Sequence, residues 1–465
     1  MKRHWTYLFV LMAGLTFGGC VVERTDQPNN NLPSPAPSAT VSPSPTANGA
    51  SHTQSLTLPV LDAFFADESF AETLKTRLQL TDEQVTKLKS LAHTETAKLD
   101  EENAGKGESA TARAAAAEKI GALIGQEKTE QLAQLVGELW SGPADEASDK
   151  TKTANSREQG AAAPNAVPKD SRIVVNIPAY RMDVFDSGRL IKSYKIGIGY
   201  PEFPLPIGLR KARVIIFNPS WTPPDEPWVA KMKNVNAGQT VAAGSKLNPL
   251  GPIKIPIGGP SLIHGGKSPA KLGTFASHGC VGLTTPQIQD FAKMLAQLGG
   301  AELTEAQLAD YARTKTETKQ VKLERPMPVE LRYETIVVED GKLHIYRDVY
   351  DQRTNTEENL RAVLEANGVR LENLTEAERT QTLDAIAQMA GQSGDGPGPE
   401  RSPRSSAPAE RRSNAGKKTV AKNQKEVVIE IGALQGKGYP TPVAFDTGSG
   451  KTRAELSASP KAAKR

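Results

Sequence analysis

Cysteine is almost absent from this chain of 465 residues: Cys20 and Cys280 are the only two, which excludes a disulfide scaffold. Aromatic side chains make up 5%, and 38% hydrophobic against 24% charged residues is too polar for one large core over this length. Neither sign of charge dominates. The 57 basic and 53 acidic residues leave a net +4, too balanced for a dedicated nucleic-acid binder. No apolar run reaches the roughly 20 residues that span a bilayer. What abounds is linker material: 33 Pro and 39 Gly point to smaller folded units joined by irregular segments.

Met1-Lys2-Arg3-His4 is a basic start, and the apolar run Trp5 to Phe17 ends in Gly18-Gly19 before Cys20, which predicts a secretory signal over residues 1–20. These last residues resemble a bacterial lipobox, with Phe17 where that motif usually carries Leu. The resemblance implies lipidation of Cys20 and an exported protein anchored to a membrane of the cell envelope, facing the periplasm. Residues 21–55, rich in Asn, Ser and Pro, read as a disordered tether.

Residues 56–140 turn to Ala, Leu, Glu, Lys and Gln with helical apolar spacing, and Thr81 with Gln84 reads as a capping box. Leu80-Thr81-Asp82-Glu83-Gln84 also resembles the LTxxQ motif of helical periplasmic stress proteins. Spacer, partner surface and lid are all compatible with such a helical region. Residues 141–170 read as a second linker, and 171–303 as a mainly β domain. Eleven prolines between Pro201 and Pro260 break up any helix there and predict long ordered loops, and Thr285 with Pro286 opens an amphipathic helix. Residues 304–390 read as a β-hairpin turning at Asp340-Gly341 plus two helices, the second opened by Thr375 and Glu378. Residues 391–465 read as a basic disordered tail, in which Val427 to Ile431 could form an edge strand or docking segment. The fold class is therefore mixed: a mainly β domain between a small α-helical region and a hairpin/helix module.

With Cys20 assigned to export, Cys280 is a lone thiol, and it sits in Ser277-His278-Gly279-Cys280. A second imidazole, His264, precedes Gly265-Gly266. Thiol, imidazole and exposed backbone amides are the parts of acyl transfer. A thiol that ordinarily titrates near pH ~8.5 needs a base or a more acidic setting to attack a carbonyl. On an extended strand His278 and Cys280 would share a face, which makes His278 the natural base, and amides around Gly279 and Cys280 would form an oxyanion hole. Zinc ligation by His264, His278 and Cys280 ranks low, since neither HExxH nor paired CxxC is present.

Ile263-His264-Gly265 followed by Ser277-His278-Gly279-Cys280-Val281 resembles the catalytic signature of YkuD-type L,D-transpeptidases, and the resemblance extends over about Ser171 to Leu303. It implies a β-sandwich-like catalytic domain that cross-links peptidoglycan stem peptides without metal or organic cofactor. Cys280 would be the nucleophile, His278 the base and Gly279 part of the oxyanion hole, with His264, Gly265 and Ser277 binding substrate or ordering the site. The family commonly has Arg two residues after the nucleophile, where this chain has Gly282; Arg210, Lys254 and Lys267 are candidate replacements. The competing readings are a carboxypeptidase, with water as acceptor, and a non-catalytic wall-binding lipoprotein.

Overall fold

A computed structural model describes residues 56–99, 109–141, 163–390 and 424–448. The expected signal, Cys20, the tether, most of the second linker and most of the basic tail lie outside the described residues.

The helical region forms five helices: α1 (Leu58–Phe65), α2 (Glu68–Leu78), α3 (Asp82–Thr96), α4 (Ser109–Ile124) and α5 (Gln126–Ser141). Side chains close the orphan N–H groups at three starts, Thr57, Asp67 and Thr81, the last in the expected capping box with Gln84. Leu61, Leu74, Leu88, Ile120 and Leu132 are fully buried in a core of this region's own. The region is also docked. Thr57 Oγ1 donates to the Glu202 carbonyl at 2.6 Å, and Arg113 donates to the carbonyls of Tyr350 and Asp351 at 3.0 and 3.2 Å.

The domain that follows is mainly β. Its strands are β1 (Arg172–Asn176), β2 (Arg181–Asp186), β3 (Arg189–Lys195), β4 (Ile198–Gly199), β5 (Gly208–Phe217), β6 (Ile253–Gly258), β7 (Ser261–His264), β8 (Phe275–Ser277), β9 (Val281–Gly282) and β10 (Lys319–Arg332). Eight of them form one mixed sheet in the order β3-β2-β1-β10-β5-β6-β7-β9, while β4 pairs with β8. Ser187 and Gly188, both at positive φ, make the tight turn between β2 and β3. A short helix α6 (Pro227–Ala230) lies in the proline-rich loop, and α7 (Thr285–Leu298) buries Ile288, Phe291 and Leu295 against the sheet core. Thr284, not Thr285, is the N-cap of α7, because its hydroxyl and Gln287 complete a capping box one residue earlier.

The end of the mainly β domain differs from the sequence expectation. β10 pairs with β1 on one side and β5 on the other, so the main sheet needs residues well beyond Leu303. Pro326 falls in the register shift between Lys322 and Met327 while Pro328 stands in register beside Lys211, and the two prolines hide the strand from a propensity reading. The helix α8 (Glu305–Arg313), opened by a Thr304/Gln307 capping box, lies between α7 and β10.

After β10 come β11 (Ile336–Glu339) and β12 (Lys342–Tyr346), joined at Asp340-Gly341 with both residues at positive φ, then α9 (Glu357–Ala366) and α10 (Glu376–Met389). The expected disordered tail is ordered over 424–448. There β13 (Glu426–Glu430) pairs with β12, and Val443 and Asp446 bond to Ser193 and Lys195 along the outer side of β3. A buried ionic cluster joins this module to the sheet: Arg181 donates to Asp183 at 2.8 Å, to Glu339, and to the Pro440 carbonyl at 3.1 Å. Among the described residues no helix is long and apolar enough to cross a membrane.

Candidate active site

β6, β7 and β9 assemble the site. Ile253, Ile255, Ile263 and Val281 point into the main core, so the alternate residues Lys254, Leu262, His264, Cys280 and Gly282 share the opposite face. β7 runs parallel to β9 with Ile263 beside Val281 and His264 beside Gly282. That register sets Cys280, the residue before β9, near the end of β7 that carries His264. The proline-rich loop covers this face with a small apolar cluster of Trp221, Val229, Val235 and Leu250, against which Leu262 packs.

The strand expected to carry both His278 and Cys280 is not continuous. β8 ends at Ser277, β9 begins at Val281, and Gly279 takes φ +86°, a conformation that favours glycine. The face-sharing argument for His278 therefore fails. Ser277 closes the turn from both sides: its hydroxyl accepts from the Cys280 N–H at 3.0 Å and donates to the Cys280 carbonyl. The Cys280 amide, one of the two proposed oxyanion donors, is thus engaged with Ser277 in this state.

The two imidazoles differ in surroundings. His264 is buried, and its Nδ1 donates to the Gly265 carbonyl at 2.8 Å, which leaves Nε2 as the acceptor of the neutral ring. His278 is stacked on Trp228, with centroids 4.3 Å apart and planes 10° apart, and meets the edges or faces of Phe203 at 4.8 Å and Tyr200 at 5.3 Å. Burial, with a smaller contribution from Lys267, pushes both imidazoles down to about 3. Burial pushes the Cys280 thiol up, against the lowering effects of a hydrogen bond with the Leu262 backbone and of Lys267. At neutral pH the resting set is a thiol and two neutral imidazoles.

Sequence reasoning missed the aromatic surroundings of His278. Their signal lay in Trp221 and Trp228 standing close together in a chain with only four Trp. Trp228 Nε1 donates to buried Glu226, whose pKa is raised to about 7 by burial, against the lowering effect of the Trp228 bond and with a smaller raising effect from the charge of Asp62 in α1. Burial likewise raises Asp62 to about 6, with Asp225 raising it further and His93, 3.6 Å away, pulling it down. A raised carboxyl stabilises the fold fully below its unfolded value near 4.5, and that contribution is lost as pH rises through 7. Glu226→Gln keeps an acceptor for Trp228 without the charge. Between pH 5 and pH 8 the wild type should therefore lose on the order of 2–3 kcal/mol that the variant retains, read as a larger fall in thermal midpoint for the wild type.

Of the candidate replacement cations, Arg210 is buried on β5 and donates to the carbonyls of Ile207 and Leu209. Lys254 stands opposite His264 in the β6–β7 ladder. Lys267 follows directly on the His264-Gly265-Gly266 turn, with its amide bonded to the Leu283 carbonyl at 3.0 Å. Among the described residues no group of three His, Cys, Asp or Glu is placed to hold a metal ion.

This arrangement coincides with a family match. Residues 170–321 fit the YkuD family, described as the L,D-transpeptidase catalytic domain. The chain carries a YkuD-type L,D-transpeptidase catalytic domain. Solved structures similar to the chain include an L,D-transpeptidase from Mycobacterium smegmatis, at 14% identity and TM-score 0.21, with 35% of this chain and 58% of that chain covered. L,D-transpeptidase 3 from Mycobacterium tuberculosis matches at 14% identity and TM-score 0.21, with 35% and 60% covered. The catalytic domain of the E. faecium L,D-transpeptidase matches at 14% identity and TM-score 0.23, with 36% of this chain and all of that domain covered. The match thus spans less than two thirds of either mycobacterial chain. No curated protein matches the sequence. The YkuD-type match ends at residue 321, within β10.

Proposed function

We propose that the protein is a peptidoglycan L,D-transpeptidase that works through a Cys280 thioester. The observation that carries the reading is a buried free thiol directly before β9, whose parallel partner β7 ends on an oriented imidazole, inside the YkuD-type domain. In acylation Cys280 Sγ attacks the carbonyl before the terminal D-Ala of a tetrapeptide stem. A C–S bond forms, the amide C–N bond breaks, and the thiol proton passes to the departing amine of D-Ala. An amine of a second stem then attacks the thioester and returns the thiol.

His264 is the better-supported base, in place of His278. Its ladder partner is Gly282, two residues after Cys280, and its tautomer is set by Gly265, the pattern of a base oriented by a third group. His278, held between aromatic rings, lines the site. Ser277 shapes the nucleophile's turn, and the Gly279 amide is the candidate oxyanion donor. The Gly18-Gly19-Cys20 sequence supports lipidation of Cys20 and a place in the cell envelope.

The test is intact-protein mass spectrometry of the chain lacking its first 20 residues, mixed with tetrapeptide muropeptides, with Cys280→Ala alongside. A Cys280-dependent acyl adduct, free D-Ala and cross-linked dimers are expected. Tripeptide without dimers would make it a carboxypeptidase. No adduct and no product across several stem types, with wall binding retained by Cys280→Ala, would replace the enzyme reading with a wall-binding one.

A further inference from the structure

Gly282 leaves a space beside the nucleophile, and Lys267 fills it. A Cβ built on Gly282 would stand 2.8 Å from Lys267 Cγ, 3.4 Å from Cδ and 3.0 Å from Cε, so the lysine's aliphatic arm lies across the Gly282 backbone. Those distances are too short for any larger residue at 282 unless the arm moves. The arm's root is fixed, because the Lys267 amide is bonded to the Leu283 carbonyl at 3.0 Å. Gly282 is the ladder partner of His264 and lies two residues from Cys280 on the same face, so the arm crosses the catalytic face itself. The charge it carries is felt by Cys280, His264 and His278 alike, in each case behind the larger effect of burial.

We propose that Lys267 is the specificity-determining residue that receives the terminal carboxylate of the donor peptide. This role presupposes the transpeptidase reading above. In a tetrapeptide the carboxylate belongs to the residue directly after the attacked carbonyl, and consecutive Cα atoms are only about 3.8 Å apart. Seating that carbonyl on Cys280 therefore brings the carboxylate to the same face. Moving a carboxylate from water to a buried site is costly unless a cation meets it. This face also carries Lys254, opposite His264; Lys267 is the cation whose charge Cys280, His264 and His278 feel, and its flexible arm suits a single charged contact. The absence of a side chain at Gly282 is what admits the arm.

Two experiments test this. In the first, Cys280 of the whole chain lacking its first 20 residues is alkylated with iodoacetate and with iodoacetamide, which differ in having a carboxylate or an amide. Lys267→Met should lower the iodoacetate-to-iodoacetamide rate ratio about tenfold, whereas a change in thiol acidity alone moves both rates together and leaves the ratio fixed. In the second, a tetrapeptide is compared with the same peptide ending in D-alaninamide. Lys267→Met should lose roughly 10- to 100-fold in kcat/KM on the acid, mostly in KM, the range of a hydrogen bond to a charged group. It should stay within about threefold of wild type on the amide, and Lys267→Arg should recover most of the loss. Equal losses on acid and amide, or an unchanged alkylation ratio, would overturn the proposal. Because alkylation needs no turnover, a protein inactive on every peptide would sink the transpeptidase reading while the ratio still reports on Lys267.

Discussion

Replacing His264 by Gln should slow acyl-adduct formation about 10²- to 10⁴-fold, the usual cost of removing a general base, whereas His278→Gln should cost roughly tenfold. The difference follows from the surroundings of each ring. With the thiol held above its ordinary pKa by burial, almost no thiolate exists at neutral pH, so attack depends on a neutral imidazole that takes the proton. His264 has its Nδ1 proton engaged with Gly265, which leaves Nε2 to act, and it shares the face of Cys280. His278 contributes a flat surface packed on Trp228. The rate of adduct growth, followed by intact mass at several pH values, decides the matter. The wild-type rate should climb past the ordinary thiol range, and His264→Gln should recover part of its deficit at high pH, where hydroxide supplies thiolate. A His278→Gln defect larger than that of His264→Gln would return the base role to His278.

Arg181→Ala should destabilise the protein by about 3–5 kcal/mol, the cost of leaving buried charge uncompensated. Arg181 is 7% exposed, and its partners Asp183 and Glu339 are 3% and 7% exposed. The guanidinium binds a carboxylate of β2, a carboxylate of β11 and the Pro440 carbonyl, and it lies over the ring of Tyr439 at 5.4 Å. Its loss strands two carboxylates at the seam between the catalytic sheet and the C-terminal module. Thermal unfolding of the variant should show a lowered midpoint, and proteolysis should cut first within residues 424–448. The triple change Arg181→Met, Asp183→Leu, Glu339→Leu removes the charges together and should recover most of the stability, because the damage lies in the imbalance rather than in the lost pair. An Arg181→Ala protein as stable as wild type would mean that water reaches the cluster.

Local chemistry made much of this legible in advance. The capping boxes at Thr81 and Thr375, the tight turn at Asp340-Gly341 and the Ser277-to-Cys280 run each depend on residues a few positions apart. What the sequence concealed depends on pairing at a distance. His264 and the Cys280 turn are brought together because β7 and β9 run parallel, and no spacing rule announces that register. Gly279 takes a positive φ, which breaks the strand expected to carry both His278 and Cys280. Trp228 reaches His278 from the proline-rich loop, 50 residues earlier, and 424–448 returns to β12 and β3 after a segment whose composition reads as disorder.

The central place of β10 sets a timetable for folding. Arg172 on β1 and Glu330 on β10 are ion-paired across 158 residues of sequence, and β5 waits for the same strand on its other side. A chain delivered from its N-terminus holds β1 and β5 with open edges until residue 332 has emerged. Pairings this distant close slowly, and open edges invite association with other chains. Cys280 is therefore in place in the sequence long before the sheet that carries it can close, and a fragment ending at residue 321 would contain every proposed catalytic group without a complete sheet to hold them.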